Sequence, residues 1–137
     1  EAIIYEGVIN AFKFFASNNI KVFIVSHKTQ YPYQGEKIDL HNSAINWMGT
    51  QGFFKTTKLK LSEDNIFFEP SKESKVQRIV NLGCDFFIDD LIEILEMLPN
   101  NIKKILFSPF DKNKKNNNLY AIMKSWKDIS KILHKID

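Results

Sequence analysis

Four apolar runs in this chain are each followed directly by polar residues whose types suit the handling of an anion and a divalent cation. Ser26-His27-Lys28 follow the run IKVFIV, and Glu69 to Lys72 follow IFF. Asp89-Asp90 follow CDFFI, and Ser108 follows the run ending at Phe107. A serine hydroxyl such as Ser26 donates to a phosphate oxygen, and a lysine such as Lys72 or Lys75 offsets its charge. The adjacent carboxylates of Asp89 and Asp90 repel one another and gain from a cation between them. Mg2+ suits such a pair, because it takes a few carboxylates and fills its other positions with water and phosphate oxygens. Each cluster also has a structural explanation. Serine after a strand closes turns, a lysine at a helix start is solvated, and one aspartate of a pair caps the next helix.

The elements that hold these residues are legible from apolar spacing. Val8, Ile9, Phe12, Phe15 and Ala16 recur at helical intervals, so Gly7–Asn19 is expected as an amphipathic helix stopped by Asn18-Asn19. Ile20–Val25 is apolar on both faces, as a strand buried between two helical layers must be. A polar loop over Ser26–Lys37 follows, broken by Pro32 and Gly35. Asp39 is placed to cap a second helix carrying Leu40, Ala44, Ile45, Trp47 and Met48 and closed by Gly52, with Phe53–Leu61 a loop. Ile66–Phe68 is expected as the second strand. Pro70-Ser71 then opens a helix to about Leu82, with Val76, Ile79, Val80 and Leu82 inward and Gly83 as its stop. Cys84–Ile88 is the third strand, Leu91–Leu98 a short helix and Ile102–Phe107 the fourth strand. The polar stretch KNKKNNN at Lys112–Asn118 is read as a solvated loop. A closing helix over Leu119–Ile136 is expected from the stripe Ile122, Trp126, Ile129 and Leu133. Strands alternating with helices give an α/β fold, a Rossmann-like parallel sheet covered by helices on both faces. In such sheets ligands bind beyond the carboxyl ends of the strands, where all four polar clusters fall.

Composition narrows the function further. The 137 residues suit one domain, and 44% hydrophobic content with 12 Phe fills a core. A net charge of +3 with scattered lysines gives no basic face for nucleic acid. No apolar run approaches the ~20 residues of a membrane helix. The single Cys excludes an internal disulfide and favours a reducing, cytoplasmic setting. Cys84 reads as a small packing residue, with no base beside it in sequence.

The order of these motifs resembles the haloacid dehalogenase-like (HAD) hydrolase superfamily over about Gly7 to Phe107. VFIVSHK is similar to the family's second motif, whose Ser or Thr holds the transferring phosphoryl group, the position of Ser26. SKESKVQRIVNLG resembles the stretch that carries its third motif, a Lys stabilising the phosphoryl and nucleophile charges. Lys72 fits the helix start better, and Lys75 is the alternative. FFIDD is similar to the fourth motif, which implies Mg2+ on Asp90 with Asp89 assisting. His27 and Lys28 stand where the family places substrate contacts.

The departure from the family is its first motif. No Asp-x-Asp, the source of the nucleophile, follows any apolar run here; Ala2–Tyr5 ends in Glu6-Gly7. The chain opens on Glu1 rather than Met. It is therefore expected to be the C-terminal part of a longer protein, inactive alone and without its first central strand; the other explanation is a relative that has lost its nucleophile. The Val22–Val25 and Phe86–Ile88 runs would then pair directly, flank Ala2–Tyr5, or take a strand from another chain, which makes self-association possible.

The resemblance implies a Mg2+-dependent phosphomonoester phosphatase acting on a small phosphorylated metabolite, a sugar phosphate or a nucleotide. No segment between the motifs is long enough for a sizeable cap domain, so the site should be open. The alternative is a non-catalytic HAD-like module that binds an anion and performs no chemistry. A receiver-like signalling domain fits less well, since its acidic pair comes early in the chain. A metal site from His27, Asp39 and His41 is conceivable from residue type alone, and Tyr31, Pro32 and Tyr33 could form a pocket wall.

Overall fold

The computed structural model describes residues 7–27, 61–111 and 113–136. The expected helix after Asp39, the loop before Leu61, Ala2–Tyr5, Lys28, Tyr31, Tyr33 and His41 lie outside the described residues. The chain divides into two compact units, one within Phe12–Arg78 and the other combining Glu1–Ala11 with Ile79–Asp137. The architecture is mixed α/β, with small parallel sheets and accompanying helices.

Helix α1 (Val8–Ser17) follows the apolar stripe, burying Ala11, Phe12, Phe15 and Ala16. It ends where the two asparagines stand. Asn19 adopts the left-handed conformation (φ 57°), and the Ile20 N–H donates back to the Phe15 carbonyl at 2.8 Å. That geometry satisfies carbonyls the helix leaves open.

In the Phe12–Arg78 unit, β1 (Ile24–His27) pairs in parallel with β2 (Ile66–Glu69). β1 starts later than its apolar run and extends past it. Ile24 is opposite Ile66, and the chain just before Ile66 is a 3-10 turn over Glu63–Asn65, so residues 20–23 meet no ladder there. Ser26 and His27 are ladder residues, opposite Phe68 and Glu69. Helix α2 (Lys72–Asn81) follows β2 almost at once. It stops at Gly83, whose φ of +70° suits a residue without a Cβ and whose N–H donates to the Val80 carbonyl at 3.0 Å. Its inward face differs from expectation. Lys75 and Ile79, one turn apart, are buried, Val76 and Leu82 are half-buried, and Val80 is exposed.

The other unit holds a parallel three-stranded sheet in the order β3 (Phe86–Asp89), β4 (Lys103–Phe107), β5 (Ala121–Met123). Helix α3 (Ile92–Met97) packs on β3 and β4, and Ile94 and Leu95 on it are buried. β4 is central and is buried at Lys104, Ile105, Leu106 and Phe107 in succession, so both of its faces are covered.

The closing helix is a correction. Ala121–Met123 is the strand β5, a 3-10 turn follows at Trp126–Asp128, and only Ile129–Ile136 is helical, as α4. Two side chains favour the strand. The Asn117 Oδ1 accepts the backbone N–H groups of Leu119 (2.8 Å) and Tyr120 (2.9 Å). The Asn116 Oδ1 accepts that of Ile122 at 2.7 Å. Those bonds hold the chain out of helix while β4 offers a ladder, and Met123 becomes fully buried.

Among the described residues β1 has β2 as its strand neighbour and β3 has β4. Direct pairing of the Val22–Val25 and Phe86–Ile88 runs is not among the ladders formed.

Candidate functional site

The carboxyl end of the β1–β2 ladder gathers the first set of polar residues. Ser26 is half-buried in β1, and His27 beside it is exposed. The His27 Nε2–H donates to the Pro70 carbonyl at 3.1 Å. A carbonyl only accepts, so Nε2 is the ring nitrogen that carries the hydrogen of this bond. This bond joins the end of β1 to the turn entering α2. Glu69, opposite His27 in the ladder, is buried and takes the Arg78 Nε–H at 2.8 Å. The same guanidinium lies over the Phe67 ring, 4.7 Å from its centroid. Glu69 thus holds α2 to β2 and is a structural carboxylate.

The start of α2 is fixed by a reciprocal serine cap. The Ser74 N–H donates to the Ser71 Oγ at 3.0 Å, and the Ser71 N–H donates to the Ser74 Oγ at 3.2 Å. Lys72 is the first helical residue and is half-buried. Lys75 stands one turn further on and is 9% exposed. A lysine is rarely so enclosed, and its charge there is screened less than a surface charge. The structure therefore brings Ser26, His27 and the start of α2 to one end of one small sheet, and it separates the two lysines by burial.

Asp89 and Asp90 stand at the carboxyl end of β3, in the other unit. Asp89 is half-buried, and its Oδ1 accepts the Leu91 N–H at 3.0 Å, turning the chain into α3. Asp90 is exposed. Both carboxylates are oxygen donors of the type Mg2+ takes. Among the described residues no cluster of three or more His, Cys, Asp or Glu side chains is poised for a metal. Ser108, past β4, is half-buried, and its backbone N–H continues the ladder by donating to the Met123 carbonyl at 2.9 Å. Cys84 is half-buried rather than enclosed. Burial, with a smaller contribution from the neighbouring Asp85 carboxylate, raises its thiol above the usual range, which keeps it a poor nucleophile.

Sequence reading passed over Lys104. It sits in the apolar central strand, 6% exposed, and its Nζ donates to the carbonyls of Pro99 (2.9 Å) and Ile102 (3.1 Å). The only signal was a lysine inside the apolar run of β4. Burial lowers its pKa from the ordinary 10.5. Just below that value the unfolded chain holds more protons than the folded one, so folding stability rises with pH in that window. Cys84 acts oppositely, because its folded thiol keeps a proton that the unfolded chain loses above the ordinary 9.0. Urea titrations of Cys84→Ser at successive pH values should therefore show stability climbing toward pH 10.5, and adding Lys104→Met should flatten the climb.

Among the described residues no helix is long and apolar enough to cross a membrane. Compared with family models, curated proteins and solved structures, the chain finds no match in any of the three.

Proposed function

We propose that this chain carries the phosphoryl-holding and Mg2+-binding parts of a HAD-like phosphomonoester hydrolase whose nucleophilic Asp lies outside it. The observation that supports this reading most is the enclosed lysine: Lys75 is buried one turn into a helix that begins directly after β2, at the ladder end where Ser26 stands. A lysine enclosed on the helix that leaves this ladder end suits an oxyanion better than it suits packing.

In this reading the carboxylate nucleophile attacks phosphorus, the phosphate–oxygen bond to the alcohol breaks, and water later cleaves the aspartyl phosphate. The Ser26 hydroxyl donates to one phosphoryl oxygen, and Lys75 offsets the charge that nucleophile and phosphoryl group bring together. His27, fixed by its bond to the Pro70 carbonyl, and Lys28 contact the leaving group. Asp90 would hold Mg2+ with Asp89 assisting, and the bound ion supplies charge neutralisation. The substrate class is a small phosphorylated metabolite, a sugar phosphate or a nucleotide. β1 and β3 each have one strand neighbour among the described residues, which leaves each an edge for a further strand to pair with. Those edges are also where two copies of the chain would associate.

The test is a p-nitrophenyl phosphate assay on the protein expressed with the coding sequence that precedes Glu1, with and without Mg2+. Turnover that needs Mg2+ and falls in Asp90→Ala and Ser26→Ala supports the hydrolase. No turnover, with no Asp-x-Asp encoded upstream, replaces it with a module that only binds.

A further inference from the structure

A cleft of about 620 Å3 opens at the other end of the three-stranded sheet, where β4 and β5 begin. Asp89 ends β3 at the opposite end of the same sheet, so this cleft is separate from the Asp89-Asp90 pair. Its polar walls come from Asn100, Lys103, Lys104, Asn116, Asn117 and Asn118, with no Asp or Glu among the lining residues. A volume of this size accommodates a small metabolite.

The hydrogen bonds decide which polar atoms those walls offer. Backbone N–H groups can only donate, so the side-chain atoms that accept from Leu119, Tyr120 and Ile122 must be the Oδ1 of Asn117 and Asn116. The carbonyl oxygens of both amides are spent on the turn that starts β5, and their Nδ2 groups remain as donors. Lys104 adds a buried ammonium. Two of its three N–H groups reach the Pro99 and Ile102 carbonyls, and one is left. Lys103 contributes a second positive charge beside the Phe86 ring, 5.8 Å from its centroid. Donor groups and two cations, unbalanced by any carboxylate, make a wall that attracts negative oxygen and repels cations.

From this we infer a second ligand site, an oxyanion-binding cleft at the amino-terminal ends of β4 and β5 that takes a small molecule bearing a carboxylate or a phosphate. The ligand's oxygens accept from the Asn116 and Asn117 amides and from the Lys104 ammonium. An anion there would also relieve the desolvation that depresses Lys104.

The replacement of both asparagines by aspartate tests the inference without dismantling the turn. Asn116→Asp and Asn117→Asp keep an acceptor oxygen for the backbone N–H groups and exchange each NH2 donor for a negative oxygen. The 137-residue chain, labelled with 15N, is titrated with inorganic phosphate in one arm and citrate in the other, at constant ionic strength. The side-chain amide resonances of Asn116 and Asn117 should shift saturably in at least one arm, and the arm that saturates first names the anion. Affinity, followed in every variant through the backbone amide resonances of the cleft residues, should fall tenfold or more in the double Asp variant, with its thermal unfolding midpoint unchanged, and should persist in Ser26→Ala. Amide resonances that stay still in both arms, or shifts that survive the double substitution, would overturn the assignment. So would binding that Ser26→Ala removes, since that places the anion at the other site.

Discussion

Under the proposed hydrolase function, Lys75→Met should lower turnover by about 100- to 1000-fold, the loss that follows removal of one preorganised group stabilising a developing oxyanion. Lys72→Met should cost less than roughly tenfold, because a half-buried ammonium on the first turn is better screened. Methionine matches lysine in length and suits an apolar surround, so the Lys75 variant should fold. The Ser71–Ser74 cap that positions the helix start is left intact. Steady-state kinetics on p-nitrophenyl phosphate separate the roles. The Lys75 variant should lose kcat and also bind inorganic phosphate, as product inhibitor, more weakly. Were Lys75 only a packing residue, its replacement would move the unfolding midpoint and leave kcat and phosphate inhibition where they were.

The second large effect is on stability. Ile105→Ala should destabilise the protein by about 2–5 kcal/mol, the range for truncating an aliphatic side chain in a closed core. Ile105 is 0% exposed in the middle of β4, opposite Ile88 on one side and Ala121 on the other. Two strands hold the backbone around the gap, so the site has little freedom to collapse onto it. Urea unfolding followed by circular dichroism measures the loss. Ile122→Ala, at a half-buried position of the short strand β5, should cost clearly less. A loss under about 1 kcal/mol at Ile105 would show that the centre of this sheet is less tightly filled than its burial implies.

Much of the element order was readable because local signals and packing agree. The α1 stripe, the Asn18-Asn19 stop, the Pro70-Ser71 start and the Gly83 stop of α2 all depend on residues within one turn of the feature they specify. Strand limits were less legible. The apolar run Ile20–Val25 shows that a strand is wanted there, whereas its limits depend on where β2 begins, some forty residues away in sequence. The stripe Ile122, Trp126, Ile129 and Leu133 satisfies a helical period, yet its first residue belongs to β5. Two asparagine side chains and the waiting edge of β4 outweigh the period there.

The candidate site divides in the same way. Residue type and position after an apolar run were enough to select Ser26, Asp89 and Asp90 and to put them at the carboxyl ends of parallel strands, since that follows from strand direction alone. Tertiary structure decided what no spacing rule could. It buried Lys75 together with Ile79, one turn further along α2, and left Lys72 half-exposed. It tied Glu69 to Arg78 and His27 to the Pro70 carbonyl. It also enclosed Lys104 in a central strand and turned the oxygens of Asn116 and Asn117 toward the backbone N–H groups that lead into β5, so that the exposed loop lines a cleft. Burial and hydrogen-bond direction are properties of neighbours distant in sequence, and only the folded chain supplies those neighbours.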